Sequence, residues 1–302
     1  MMDGIEHFPA EETVLDKRMR WLRSELDPSR LTLEIAPYFN PMVPKVEGKV
    51  WYTDYVNNKT IQKKAAANPT FKNGFAPTID FVWKPGKQLN SCSPRLDFDC
   101  VVASHVLEHV PNPLGWINEL LSVTKVGGSI LLILPDRQLT TDHYRKETTF
   151  AEVLAFAVEG LTKPSTGQIL DFMTNSVEDY GNDGVLPYVS GIPLEEAKRA
   201  WNDEMALRSA LRTKAFDNYI DVHCTAWTST HFAQVFRRIT KEKYIRAAVF
   251  DPVDNYSEFM IKLVKTEGSP VRLRPRNSFR LFWAIHYLSR YRRDIIAKVR
   301  GA

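Results

Sequence analysis

Apolar residues in this chain come either in short unbroken runs or at every third or fourth position, the pattern of buried strands set between covering helices. Residues 96–136, LDFDCVVASHVLEHVPNPLGWINELLSVTKVGGSILLILPD, show it most clearly. Cys100 to Ala103 has the length of a buried strand and stops at the polar pair Ser104 and His105. Pro111 and Pro113 flank Asn112 in a tight turn, after which Leu114, Ile117, Leu120, Leu121 and Val123 fall on one helical face. Gly127 and Gly128 are read as the end of that helix, and Ile130 to Leu134 as the next strand. The crossover is long enough for parallel pairing, so a βαβ unit is expected.

The same reading places the other elements. Residues 11–26 form an amphipathic helix presenting Val14, Met19, Trp21 and Leu22, so residues 1–30 are expected to make a helical collar on the first strand. Strands are expected at Leu31 to Ile35, Val50 to Thr53 and Thr78 to Trp83, with a polar surface helix from Asn57 to Asn68. After Asp136 the parallel pattern breaks, and residues 137–222 read as an insertion. It holds apolar helices around Phe150 to Val158 and Ile169 to Met173, then the turn-rich YGNDGVLPYVSGIP, then the charged helix LEEAKRAWNDEMALRSAL. Thr228 is an N-cap ahead of Phe232, Val235, Phe236 and Ile239. Ile245 to Phe250 and Phe259 to Val264 then form two antiparallel strands joined by DPVDNYSE. The expected fold is α/β, a mostly parallel seven-stranded sheet with helices on both faces, spanning residues 31–268.

Composition narrows the class. An apolar fraction of 44% in 302 residues suffices for one large domain. No apolar run reaches the roughly 18 residues of a membrane span, and the acidic start MMDGIEHFPAEE does not read as a signal peptide, so a cytoplasmic location is expected. Cys92, Cys100 and Cys224 are odd in number and lack metal-ligand spacing, which fits reduced thiols. The net charge of +4 is concentrated in residues 269–302, which carry nine basic residues against Asp294. The first 268 residues are therefore net negative, which argues against a nucleic-acid partner.

Ligands of open parallel sheets bind at the carboxyl ends of the strands. That places Ser104, His105, Glu108 and His109 beside a site, with Pro135, Asp136 and Arg137 at the end of the next strand. SHVLEHVPNPLGW, with the strands around it, resembles the fourth strand, following helix and fifth strand of class I S-adenosylmethionine-dependent methyltransferases. The resemblance implies a Rossmann-like fold and S-adenosylmethionine as cofactor. Glu34 would end the first strand, with Ala36 and Pro37 where the family carries a glycine-rich turn; Ala36 is small enough for close approach if its φ is negative, and Pro37 fixes a φ that a tight turn can use. Asp54, twenty positions beyond Glu34, would take the ribose hydroxyls, and Asp80 and Phe81 the adenine. Ser104 and His105 complete the expected cofactor site, and no metal site is assigned.

DRQLTTDHYRKETT further resembles a subgroup found with glycosyltransferases of cell-surface polysaccharide synthesis, which implies a saccharide or lipid-linked glycan acceptor. A small-molecule metabolite, and a non-catalytic scaffold of the same fold, are the alternatives. A sugar hydroxyl needs a base. His143, beside Asp142 and Arg145, is the first candidate, with His105, His109 and His223 behind it. His105, Glu108 and His109 also match the HxxEH string of a zinc-peptidase group, but a strand end before them and two prolines after them leave no room for the helix that motif needs. The tail interleaves arginines with aromatic residues, and a helix from Ser278 is expected to lie on the inner face of a membrane through residues 278–300 or to dock on protein; nucleic-acid binding is a third reading. Oligomeric state is not legible.

Overall fold

The apolar runs pair edge to edge in a computed structural model of the chain, which describes residues 12–38, 40–67, 77–178, 197–271 and 273. The strands are β1 (Thr32–Ile35), β2 (Val50–Asp54), β3 (Phe81–Val82), β4 (Phe98–Ser104), β5 (Thr124–Pro135), β6 (Ala247–Val249), β7 (Val253–Asn255) and β8 (Glu258–Lys265). Their order is β3-β2-β1-β4-β5-β8-β6, with β7 paired to β8 off that path. The first five are parallel, and β8 runs antiparallel to β5, β6 and β7. The mostly parallel, Rossmann-like sheet is as expected. DPVDNYSE is more than a connection, because it contains β7, turned back onto β8 through Tyr256 at φ 58°.

The helices are α1 (Val14–Glu25), α2 (Asn58–Ala67), α3 (Leu89–Cys92), α4 (Pro113–Val123), α5 (Phe150–Glu159), α6 (Thr166–Asn175), α7 (Asp203–Phe216) and α8 (Ser229–Lys241). Successive strand residues point to opposite faces, so the unbroken run of β4 divides between two cores. Val101 and Ala103 pack with Leu114 and Ile117 of α4, Val153 of α5 and Phe232 and Phe236 of α8. Cys100 and Val102 pack with Leu22 of α1 and Ile61 of α2. A third cluster joins Ile169 and Phe172 of α6 to Ala206 and Ala210 of α7, with Val222 and Cys224.

Several boundaries differ from expectation, each for a local reason. The side chain of Asn112 caps Gly115 N–H at 2.9 Å, but α4 ends at Val123 and β5 begins at once. Gly127 (φ 78°) and Gly128 therefore shape a register shift between β4 and β5 instead of ending a helix. A Cβ on Gly128 would stand 2.9 Å from the carbonyl oxygens of Asp99 and Lys125. Helix α1 opens with a Thr13–Asp16 capping box and lies on the β7–β8 hairpin instead of β1, where Asn255 Nδ2 donates to Val14 O at 2.9 Å. Only two residues of the third strand pair as a strand, since Ile79 N–H is taken by the Asn58 side chain at 2.6 Å. Of the expected charged helix, residues 197–202 are not helical and the helix α7 starts at Asp203, with Asn202 accepting from Met205 N–H at 2.8 Å, and Arg199 ahead of it bridges to Val177. The YGNDGVLPYVSGIP turn and the aromatic tail from Ser278 lie outside the described residues. Among the described residues no helix is long and apolar enough to cross a membrane.

Candidate active site

β1, β2 and β4 are neighbours, and their carboxyl ends form one edge on which the loops after them converge. Ala36 N–H donates to Thr53 O at 2.7 Å, and the chain then turns with Ala36 at φ 49° and Tyr38 at φ 46°. The condition of a negative φ at Ala36 is thus not met. Two residues with a Cβ hold the left-handed backbone that glycine adopts freely, at about 1 to 2 kcal/mol each. Pro37 is buried between them.

Glu34 does not face outward from β1. Its two oxygens accept Met42 N–H at 2.8 Å and Val43 N–H at 3.0 Å, closing the far side of the turn. Burial outweighs those bonds and pushes its pKa up to about 7. Asp54 ends β2 almost fully buried and accepts Val56 N–H at 3.1 Å; burial raises its pKa as well. Asp80 lies before β3, bound to Tyr52 N–H at 2.6 Å and to Lys45, so it does not stand at a strand's carboxyl end as an adenine acceptor. Phe81 is half-buried against the main core. Ser104 ends β4.

His105 follows with φ 52°, a strained conformation for a residue with a side chain. Its Nε2 meets Glu258 at 2.9 Å and its Nδ1 faces Glu108 Oε1 at 3.5 Å. Burial opposes a charge on the ring, but the two carboxylates outweigh it and push the pKa up to about 9. Arg18 of α1 clasps the same Glu258 through Nε at 2.8 Å.

Residues 107–109 make one 3₁₀ turn, and the carbonyl of Glu108 accepts Cys224 N–H at 2.6 Å and Thr225 N–H at 3.2 Å. These bonds dock residues 221–225 on the turn, bringing His223 edge-on to His109 with ring centres 4.7 Å apart. Nδ1 of His109 lies 3.0 Å from Asp221 Oδ1, and Nδ1 of His223 lies 2.6 Å from Asp142 Oδ2.

The expected pairing of His143 with Asp142 and Arg145 does not form. Nδ1 of His143 donates to Gln138 O at 2.6 Å, while Asp142 turns to His223 and to Arg145, the latter at 2.9 Å. Arg145 is fully buried and reaches Asp171 of α6 at 2.8 Å, so it ties the insertion to the loop after β5. The sequence reading gave no role to Arg18, Asp221 or Glu258 and left Glu108, His109 and His223 in the background. The one signal was the D-x-H spacing of Asp221 and His223, two positions that share a face in extended chain.

A groove of about 650 Å³ opens at the amino-terminal ends of the strands, beside Arg30, Lys49, Asp99 and Lys125. It faces away from Ala36, Asp54 and His105, and ligands of parallel sheets bind at the opposite end.

A family model described as a methyltransferase domain matches residues 24–176, just over half of the chain. The chain belongs to the methyltransferase-domain family, the class whose Rossmann-like sheet and S-adenosylmethionine donor the sequence resemblance implied. Solved structures similar to it include a SAM-dependent methyltransferase from Aquifex aeolicus, 11% identical with a TM-score of 0.41 over 86% of this chain and 94% of that one. Another, from Mesorhizobium loti, is 12% identical with a TM-score of 0.40 over 83% of this chain and 100% of that one. The plantazolicin methyltransferase BpumL in complex with SAH is 8% identical with a TM-score of 0.38 over 84% of this chain and 83% of that one. No curated protein matches the chain.

The residues present fit S-adenosylmethionine. The left-handed turn at Ala36 to Tyr38 keeps the backbone course that lets a ligand approach the main chain. Asp54 has lone pairs beyond the one used by Val56, as ribose hydroxyls require.

Proposed function

We propose that the chain transfers the methyl group of S-adenosylmethionine to a hydroxyl of a saccharide or glycan intermediate. The observation that carries the acceptor class is the polar lining beyond β4, where His109, His223 and Asp221 offer hydrogen-bonding groups within one loop cluster. A polyhydroxylated acceptor matches such a lining, whereas an aromatic acceptor needs an apolar slot.

The cofactor supplies an electrophilic methyl on a sulfonium. The turn at Ala36 to Tyr38 and the Asp54 carboxylate bind and orient it at the carboxyl ends of β1 and β2. His105, both of whose ring nitrogens face the carboxylates of Glu108 and Glu258, has no free nitrogen to act as the base. The hydroxyl proton has to be dealt with by the neighbouring cluster of Glu108, His109 and His223.

Calorimetric titration with S-adenosylhomocysteine tests the cofactor half, and one-to-one binding is expected. Incubation with methyl-labelled cofactor and a panel of nucleotide sugars, lipid-linked glycans, phenols and amines tests the acceptor half. Label entering only phenols or amines would reject the saccharide reading, and absence of homocysteine-analogue binding would reject methyl transfer.

A further inference from the structure

Ligand atoms of Glu108, His109 and His223 lie within 4.8 Å of one another. Three facts make this more than a crowd of polar groups. Each imidazole has its Nδ1 against a carboxylate, Asp221 for His109 and Asp142 for His223, so the neutral ring protonated there presents an Nε2 lone pair. Glu108 is fully buried, its Oε1 faces His105, and its Oε2 has no hydrogen-bond partner among the described residues. An unpartnered carboxylate oxygen inside a protein is costly and calls for a cation. The backbone bonds from Cys224 and Thr225 to Glu108 O fix the register that sets His223 beside this oxygen.

We propose that Glu108 Oε2, His109 Nε2 and His223 Nε2 hold one divalent transition-metal ion, with Asp221 and Asp142 as the positioning carboxylates behind the two histidines. Two imidazoles and one carboxylate suit zinc, iron or manganese, whereas magnesium and calcium prefer all-oxygen sets. Donor atoms around zinc stand about 2.0 to 2.2 Å from the ion, which puts them roughly 3 to 4 Å apart. Atoms that lie within 4.8 Å of one another therefore need to close by at most about 1 to 2 Å on binding. Three protein ligands leave a coordination position open, the mark of a catalytic rather than a structural site.

The use of that open position rests on the proposed methyl transfer. The acceptor hydroxyl binds the ion through oxygen and releases its proton to water, as a metal ion lowers the pKa of a bound water to about 7. The oxygen lone pair then forms the C–O bond to the methyl carbon. The C–S bond breaks with its electron pair going to sulfur, so neutral S-adenosylhomocysteine leaves and one proton is released overall.

The test uses the full chain stripped with a chelator and titrated with Zn²⁺ and, separately, Mn²⁺. One ion per chain is expected. Asp221→Asn, which alters only an orienting carboxylate, should weaken binding about 10- to 100-fold. A His109→Ala, His223→Ala double variant should abolish it, and His231→Ala, whose ring contacts Thr148 O and Glu147, should bind as the wild type does. If the double variant does not fold, Co²⁺ added to the wild type decides the matter through visible d–d absorption. A wild type that takes up neither metal, or a folded double variant that binds normally, overturns the site. S-adenosylhomocysteine titration on the stripped protein separates the two readings. Cofactor binding without metal binding removes this proposal and leaves methyl transfer standing; metal binding without cofactor binding does the reverse.

Discussion

Ala36 and Tyr38 hold a strained backbone in the turn after β1, and that strain is measurable. Ala36→Gly removes a Cβ from a left-handed position and is expected to raise the unfolding free energy by about 1 kcal/mol, while Ala36→Val lowers it. Urea unfolding without cofactor checks both, and a destabilised Ala36→Gly would mean that the Ala36 methyl contact with the core outweighs the strain. Glu34 gives a pH test. Its folded value near 7 lies above its ordinary 4.5, so the folded chain holds the proton more tightly than the unfolded one. The resulting stabilisation is complete below about 4.5 and is lost as pH rises through about 7. Its size is about 3 kcal/mol at most. Melting temperatures at pH 5.5 and 8 should differ more for the wild type than for Glu34→Gln, and equal differences would show that Glu34 is ionised in the fold. Asp54→Ala should cost S-adenosylhomocysteine roughly tenfold or more in affinity. Unchanged affinity in a folded variant would make Asp54 only the cap of Val56. Asp142 shows why single residues were hard to read. It was paired with His143 by adjacency, yet turn bonds from His143 N–H to Thr140 O and from Arg145 N–H to Asp142 O direct its carboxylate to a histidine 81 positions away.

Elements were legible where the signal is burial and obscure where it is backbone pairing. β4 and β5 carry apolar runs buried on both faces, β1 and β2 are short and buried, and α4 and α8 carry one apolar stripe each. β7 consists of Val253, Asp254 and Asn255, and only its pairing with β8 makes it a strand. The insertion was visible as a break in the pattern, but not its division of labour. α5 covers the main sheet, whereas α6 and α7 make a small core of their own. Arg145 joins the two parts, and its removal is the sharpest test of that seam. Arg145→Leu leaves buried Asp142 without its cation and is expected to destabilise the chain by about 3 to 5 kcal/mol. Asp171→Asn touches a half-exposed partner and should cost less than about 1 kcal/mol. Denaturant midpoints of the two variants measure the contrast, and similar values would mean that Asp142 is neutral or is held by His223 alone.

At the scale of the whole molecule, α1, part of the collar over residues 1–30 that the sequence suggested on the first strand of a domain over 31–268, packs into the core of the sheet. Leu22 is fully buried in the same core as Tyr52, Val102 and Met260. Arg18, itself only 16% exposed, reaches across to Glu258, and Glu258 in turn holds His105 at the carboxyl end of β4. The helix that begins the described chain and the strand near its end therefore meet at the edge of the candidate active site, a connection that local patterns cannot contain because the partners are 240 positions apart. If α1 is an integral element, Arg18→Met and Glu258→Gln should be coupled. Breaking the pair from the arginine side leaves a buried carboxylate short of a cation and should cost about 3 kcal/mol or more. With Glu258 already neutral, the same Arg18 substitution should cost far less, giving a coupling free energy of roughly 1 kcal/mol or more. Unfolding of all four proteins should remain a single transition seen alike by circular dichroism and by tryptophan fluorescence, with Trp21 of α1 among the reporters. Additive effects, or an early transition belonging to α1 alone, would show instead that the collar folds and unfolds independently of the sheet.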